Sequence, residues 1–128
     1  MLSDFDAIPV LAVTDLEKAR AFYETTLGFT SAGDAAEGVV YRAGTGQFLV
    51  YPSGYAGTNQ ATAISFQLSA DRFDAEVADL RDRGVAFQTF DVPEGTWQDG
   101  VLVSGEMKAA WFADPDGNIL NVETGAEG

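Results

Sequence analysis

An internal duplication constrains the fold of this chain more than any other feature of its sequence. The segment Gly46–Gly54 can be aligned with Gly117–Gly125, and Leu27–Phe29 can be aligned with Arg83–Val85. Each half begins with an apolar run followed by an amphipathic segment. Each half then ends with several apolar runs, and residues typical of turns lie between these runs. The alignment therefore predicts the unit strand–helix–strand–strand–strand twice, with the extra residues of the second copy at 88–107.

Hydrophobic spacing places the elements of the first unit. The apolar run Ile8–Val13 predicts a buried strand. A helix is predicted over residues 15–27, because Asp15 is a good N-cap and Gly28 is a typical stop. Its apolar residues recur on one face, at Leu16, Ala19, Phe22, Tyr23 and Leu27. Three more strands are expected, over 29–33, 39–42 and 48–51.

The second unit repeats this pattern. Residues 63–68 alternate between apolar and polar, as in a half-buried strand. A helix is expected from Asp71 to a stop at Gly84. The next strand should begin at Val85–Phe87, and residues 88–107 are expected to be irregular because they contain several glycines and a proline.

The chain is predicted to end in a hairpin over residues 108–123, with Asp114–Asn118 as its turn. Pro115 sets φ for the first corner of this turn, and Gly117 accepts a positive φ without steric cost. The whole pattern predicts an α+β fold in one domain. Its expected parts are a first unit over 1–56, a linker over 57–60 and a second unit over 61–125.

Composition excludes several classes of function. The net charge of −13 argues against binding to nucleic acid or to anionic membrane surfaces. The chain has no apolar run long enough to span a bilayer and no signal-peptide pattern, so a cytoplasmic location is expected. It also contains neither Cys nor His, which removes thiolate chemistry, the commonest metal ligand and the commonest general base.

The motifs together resemble the vicinal oxygen chelate superfamily, the group of glyoxalase I, bleomycin-resistance proteins and extradiol dioxygenases. The resemblance rests on Val13–Tyr23, Leu27–Phe29 and Trp111–Asn118, in this order and spacing. It implies two βαβββ modules that form a curved mixed-sheet cup, with the helices on the outside. Metal-dependent members bind a divalent cation through one side chain from the first and the fourth strand of each module.

The repeat alignment puts these four positions at Ile8, Pro52, Ala63 and Glu123. Only Glu123 can ligate a cation, whereas divalent metals take several nitrogen or oxygen donors. We therefore expect no tightly bound metal, and a weakly held divalent cation at Glu123 stays the alternative. Thr62 is expected to point to the opposite face, because a shift of one residue reverses every side chain of a strand.

Strand periodicity predicts which other side chains share the cup face. The first module should contribute an apolar wall and the second a few polar groups, a combination typical of small-molecule sites. The expected ligand-binding residues on these strands are Val10, Phe48, Val50, Ser65, Gln67 and Asn121. The three polar residues either orient a ligand or are ordinary satisfied residues of a sheet.

Three residues have two interpretations each. Glu123 is either a desolvated carboxylate that acts as a catalytic base or ligand anchor, or a solvated residue at a strand end. Trp97, in the segment expected to be irregular, either covers the cup as a lid or packs against a partner subunit. Trp111 belongs either to the core or to the binding site.

The leading hypothesis is a cytoplasmic homodimer that binds a small organic molecule in its cup without a tightly held metal, as bleomycin-resistance proteins do. The acidic composition favours a cationic ligand. One alternative is a lyase, isomerase or dioxygenase that uses Glu123, with a loosely held metal. Another is a dimeric interaction module whose cup is closed by aromatic side chains.

Overall fold

A computed structural model of the chain describes residues 1–34 and 38–124. Two open, curved sheets make up the fold, with one helix packed against each, and the predicted α+β class is confirmed. The expected end of the second module, at residue 125, lies outside the described residues. Across the part of the chain that is described, neither helix is long and apolar enough to cross a membrane.

The first sheet has the strand order β1-β4-β3-β2, with β1 parallel to β4 and the other neighbours antiparallel. A short 3₁₀ turn, Leu2–Asp4, precedes it. Its elements in chain order are β1 (Val10–Val13), α1 (Leu16–Arg20), a π-helical turn (Ala21–Thr26), β2 (Ser31–Asp34), β3 (Val39–Ala43) and β4 (Gly46–Pro52).

The second sheet has the order β5-β9-β8-β7-β6, which repeats the first arrangement and adds one strand at the edge. Its elements in chain order are β5 (Thr62–Gln67), α2 (Ala70–Asp82), β6 (Thr96–Gln98), β7 (Val101–Ser104), β8 (Met107–Ala113) and β9 (Ile119–Glu123).

Two expectations for the second half were wrong. Val85–Phe87 do not form a strand, and the segment expected to be irregular contains the hairpin of β6 and β7. Asp99 and Gly100 form its two-residue turn, and both have positive φ, of 53° and 82°. An Asp-Gly pair between short apolar runs is a strong hairpin signal, so the sequence did contain this information.

The first helix occupies the predicted segment but is only partly α-helical. Asp15 caps it, because its carboxylate accepts hydrogen bonds from the amides of Glu17 and Lys18 at 3.0 and 3.2 Å. After Arg20 the helix widens into the π-helical turn, and Gly28 ends it with a φ of +81°.

One aromatic cluster forms the centre of the core. Tyr23 stacks on Tyr41 at a centroid distance of 5.7 Å and packs against Phe48 at the same distance. Phe66 of the second sheet reaches this cluster, with its ring 5.5 Å from Phe29 and 6.2 Å from Phe48. The helix-facing sides of both sheets therefore contribute to a continuous hydrophobic core.

The turn Asp114–Asn118 connects the second sheet to the first half of the chain. Asp114 is 5% exposed, and its carboxylate accepts from the Tyr23 hydroxyl and from the Asn118 side-chain amide, both at 2.8 Å. The Asn118 amide also donates to the carbonyl of Ala12 at 2.8 Å. Asp116 accepts from the hydroxyl of Thr14 at 2.7 Å. These bonds hold the end of β1 and the π-helical turn against the last hairpin.

We expect Tyr23→Phe to lower the free energy of unfolding by about 1.5–3 kcal/mol, the range for a hydrogen bond to a charged group. The loss arises because Asp114 stays buried and gives up one donor. Urea unfolding at neutral pH measures it. Tyr55→Phe is the matched control, because Tyr55 is 84% exposed, and this variant should unfold like the parent.

The effect of Tyr23→Phe should also depend on pH. Burial, reinforced by the negative charge of Asp114, raises the pKa of the Tyr23 phenol above its usual value. The folded protein then keeps this proton above pH ~10 while the unfolded chain loses it, so the phenol's stabilising effect is complete below pH ~10 and decreases above it. A difference between the two proteins that stayed constant up to pH ~11 would contradict this assignment.

Candidate functional site

Four polar side chains lie together on the face of the second sheet that points away from α2, which we call the open face. Ser65 and Gln67 come from β5, and Asn121 and Glu123 come from β9. The register pairs Ser65 with Asn121 and Gln67 with Glu123. Residues directly opposite each other on neighbouring strands share a face, so these four form one polar group.

Hydrogen bonds within the polar group leave one buried acceptor without a partner among the described residues. Gln67 donates from Nε2 to the Ser65 hydroxyl, and Asn121 donates from Nδ2 to Glu123 Oε1, both at 2.7 Å. Asn121 is only 2% exposed, and among the described residues its Oδ1 has no hydrogen-bond partner. A buried acceptor without a partner costs about 1–3 kcal/mol, so this oxygen is suited to receive a donor from a ligand.

Three aromatic rings lie next to the polar group. Trp111 on β8 is directly opposite Asn121, and Trp97 on β6 belongs to the same open face. Phe90 packs edge-on against both indoles, with centroid distances of 5.3 Å to Trp97 and 4.9 Å to Trp111. We call these residues the aromatic cluster.

Trp97 lies on a strand, although the sequence predicted an irregular segment there. It lies on β6 opposite Leu102, and its indole nitrogen donates to the carbonyl of Phe90 at 3.0 Å. Phe90 was not predicted as a site residue, although its ring contacts both tryptophans and is 46% exposed. The available sequence signal was a single aromatic residue between the polar residues Thr89 and Asp91.

The prediction that Phe48 and Val50 of β4 share a face with Val10 was wrong. Val10 is paired with Leu49, so Leu49 and Tyr51 share its face. Phe48 and Val50 point to the opposite side, where both are 0% exposed in the core beneath the first helix. We therefore leave Phe48 and Val50 out of the site. The error was one residue in the register between β1 and β4, which reverses every side chain.

The same correction applies to two of the expected metal positions. Pro52 pairs with Val13 on the core side, so Tyr51 is the last residue of β4 on the side of the first sheet that points away from the core, which we call the open face of that sheet. In β5 a bulge between Thr62 and Ile64 shifts the register, and Thr62, not Ala63, is paired with Ile119 on the open face. The indole of Trp111 donates to the Thr62 hydroxyl at 3.1 Å, which fixes that side chain on this face.

Comparison with known proteins identifies the family of this chain. The family model described as the glyoxalase/bleomycin resistance protein/dioxygenase superfamily matches residues 7–122. The chain belongs to this superfamily. Among curated protein sequences, none matches the chain.

Several solved structures share this superfamily fold. The fosfomycin resistance protein FosX from Listeria monocytogenes, complexed with Mn(II) and sulfate, has a TM-score of 0.70 and 20% identity, over 98% of this chain and 93% of FosX. FosX from Mesorhizobium loti has a TM-score of 0.67 and 15% identity, over 96% and 93% of the two chains. A glyoxalase/bleomycin resistance protein/dioxygenase from Alicyclobacillus acidocaldarius has a TM-score of 0.68 and 19% identity, over 93% and 91%. At these identities the similarity establishes the fold.

One structural relative, FosX, is complexed with Mn(II), so we ask which side-chain atoms of this chain could ligate a divalent cation. Glu123 supplies the one carboxylate of the polar group, and the nearest atom of Asn121 is a nitrogen that donates to it. Within residues 1–34 and 38–124, no three acidic side chains are placed to hold a metal ion. The corrected register adds the hydroxyls of Tyr51 and Thr62 to the open faces, and Thr62 already accepts from Trp111.

We expect Phe90→Ala to shift the tryptophan emission of the folded protein to longer wavelength, because Phe90 contacts both indoles and its removal should expose them to more water. Loss of the ring contacts should lower the free energy of unfolding by only about 1–2 kcal/mol, because Phe90 is already half exposed. Steady-state fluorescence measures the shift. Phe5→Ala, at a residue that is 73% exposed and outside the cluster, should leave the emission unchanged. Equal spectra for the two variants would show that Phe90 does not cover the tryptophans.

Proposed function

We propose that this protein binds a small organic molecule at the open face of its second sheet and sequesters it, without a tightly bound metal. The observation that carries the proposal is the unpartnered, buried Oδ1 of Asn121 beside the Glu123 carboxylate. The aromatic cluster next to this pair offers apolar surface for the body of a ligand. Apolar walls with a few converging polar groups are typical of small-molecule sites.

The free groups of the site favour a ligand that donates hydrogen bonds. Asn121 Oδ1 is an acceptor, and the Glu123 carboxylate accepts hydrogen bonds at both oxygens. Glu123 is also the only charged residue of the polar group, and the whole chain has a net charge of −13. A primary amine or a guanidinium on an aromatic or aliphatic body matches this chemistry, and an anionic ligand would meet repulsion.

A tightly held divalent metal does not fit the donors that surround Glu123. Hard cations prefer several carboxylate or carbonyl oxygens, and here one carboxylate is accompanied by neutral side chains. The amide nitrogen of Asn121 also occupies part of the space beside the carboxylate, because it donates to Oε1. The Ser65 hydroxyl already accepts a hydrogen bond from the side-chain nitrogen of Gln67.

A second candidate function is a metal-assisted lyase, isomerase or dioxygenase in which Glu123 holds a weakly bound cation. The observation that favours it is the fold similarity to FosX complexed with Mn(II) and sulfate. In this alternative Asn121 would have to rotate its oxygen toward the cation. Site occupancy would then depend on added metal, which the first proposal does not require.

We also propose that the protein acts as a homodimer. The first sheet leaves Val10 of β1 51% exposed, and Ile8, two residues before that strand, is 42% exposed. A second copy could cover them, and Val10→Asp should then yield a monomer in sedimentation experiments. If wild type and variant sediment alike, this face is not the dimer interface. The cytoplasmic location expected from the sequence stays a prediction.

We expect Glu123→Gln to weaken the binding of amine and guanidinium compounds at least tenfold, because it replaces a charge-assisted hydrogen bond by a neutral one. Tryptophan fluorescence measures the affinities, since both indoles border the site. Glu106→Gln is the matched control, because Glu106 is exposed in the β7–β8 turn and outside the polar group. Fosfomycin serves as the anionic comparison and should not bind.

Metal content separates the two candidate functions. Elemental analysis of the purified protein that found one divalent metal per chain would refute the first proposal. A thermal-shift series with Mn²⁺, Ni²⁺, Fe²⁺ and Mg²⁺ tests the second. Metal-dependent stabilisation that Glu123→Ala abolishes would support the metal-assisted enzyme, because a cation that binds only the folded state raises its stability.

A further inference from the structure

A cavity lies on the other side of the second sheet, opposite the polar group. It has a volume of about 370 Å³ and is bounded by the sheet, by α2 and by the segment Leu27–Phe29 that follows the first helix. Phe66 of β5 and Phe112 of β8 form its floor. Phe66 alternates along β5 with Ser65 and Gln67, so the cavity and the polar group are on opposite faces, and Gln67 borders both because it ends the strand.

The apolar walls and the polar mouth of this cavity are separated. Leu27, Phe29 and Leu80 line the walls, and each is only half buried although its side chain is large and apolar. Arg72 and Glu76, on the first turns of α2, lie at the mouth together with Ser69. The volume falls within the roughly 300–1,000 Å³ typical of small-molecule sites. Such a division fits an amphipathic ligand whose apolar part enters the cavity.

Arg72 is the residue at the mouth that can select a head group. Of the described residues that line the cavity, it carries the only positive charge, and Glu76 carries the only negative one. They form an ion pair at 2.8 Å through one guanidinium nitrogen, with the side chains 71% and 41% exposed. Such exposed pairs hold their partners weakly, and the order Arg then Glu along a helix is the less favourable one.

The remaining donors of Arg72 favour a carboxylate. A guanidinium presents five N–H groups in a planar fork, so it can bind a second carboxylate while it keeps its bond to Glu76. A ligand amine would instead compete with Arg72 for Glu76. The mouth also lies at the amino end of α2, whose partial positive charge favours an anion.

We propose that this cavity binds a monocarboxylate with an aliphatic or aromatic body, with the apolar part against Phe29, Phe66 and Phe112 and the carboxylate on Arg72. The site is separate from the open face and does not depend on the function proposed there. Because the net charge of −13 repels anions at long range, burial of the apolar body provides the driving force and Arg72 provides the selectivity.

Octanoate, octanol and octylammonium test this proposal, because they share one apolar chain and differ in the head group. Titrations followed by amide NMR should show that octanoate binds most tightly of the three. Its shifts should centre on Leu27–Phe29 and on Ser69–Glu76. The two indole N–H signals should not move, because both tryptophans belong to the open face. Movement of the indole signals with little change around the cavity would overturn the assignment.

Arg72→Gln should weaken the binding of octanoate about two- to fivefold, the size expected for an ion pair on an exposed guanidinium, and leave the binding of octanol unchanged. Lys18→Gln removes one positive charge from an exposed position on α1, outside the cavity. This variant should bind octanoate as tightly as the wild type does. The proposal is wrong if octylammonium or octanol binds as tightly as octanoate, if none of the three binds, or if the two variants weaken octanoate equally.

Discussion

The arrangement of both sheets depends on the buried carboxylate of Asp114. It accepts hydrogen bonds from the Tyr23 hydroxyl, from the side chain and backbone amide of Asn118, and from the amide of Asp116. Through Asn118 the same turn reaches the carbonyl of Ala12, at the end of β1. A buried carboxylate is tolerated only when it is fully hydrogen-bonded, and here the donors come from both halves of the chain. The last hairpin and the first helix are therefore held together by one set of polar contacts within an aromatic core.

The second sheet separates two environments that strand alternation creates. On the side facing α2, Phe66, Phe112 and Val122 contribute to the core and to a partly open apolar cavity. On the open side, Asn121 and Glu123 from β9 lie beside the tryptophans, with an acceptor that lacks a partner among the described residues. A bulge between Thr62 and Ile64 shifts the register of β5 against β9, so that Thr62 lies on the same face as Ser65 and Gln67. Each face thus offers a different chemistry to a ligand.

Membership of the superfamily establishes the fold, and it leaves the chemistry to be argued from this chain's own residues. The FosX structures share 15–20% identity with the chain, which is too low to transfer a ligand. The absence of His and Cys is a fact of the sequence and removes the most common metal ligands from any site in this chain. What the chain places beside Glu123 is an amide, two hydrogen-bonded polar side chains and aromatic rings.

The sequence by itself determined the repeated unit, both helices, the caps at Asp15 and Gly28, and the turn Asp114–Asn118. These features follow from local conformational preferences and from hydrophobic spacing within one element. It also put Ser65 and Gln67 on one face of β5, and Asn121 and Glu123 on one face of β9, since alternation within each strand was enough for that. The hairpin turn at Asp99-Gly100 was equally local, and the signal was present but outweighed by the glycines around it.

Only the tertiary structure decided the register between strands that are distant in sequence. Val10 is paired with Leu49, so Phe48 and Val50 lie on the core side of β4 and not on the predicted face. Because of the bulge in β5, Thr62 is paired with Ile119 on the open face where Ala63 was expected. The partnership of Phe90 with Trp97 and Trp111, the contact of Tyr23 with Asp114 and the cavity beneath α2 were likewise settled by packing. Pairing of distant strands depends on the packing of the whole core, and a difference of one residue, which changes little in local propensity, reverses the face of every side chain.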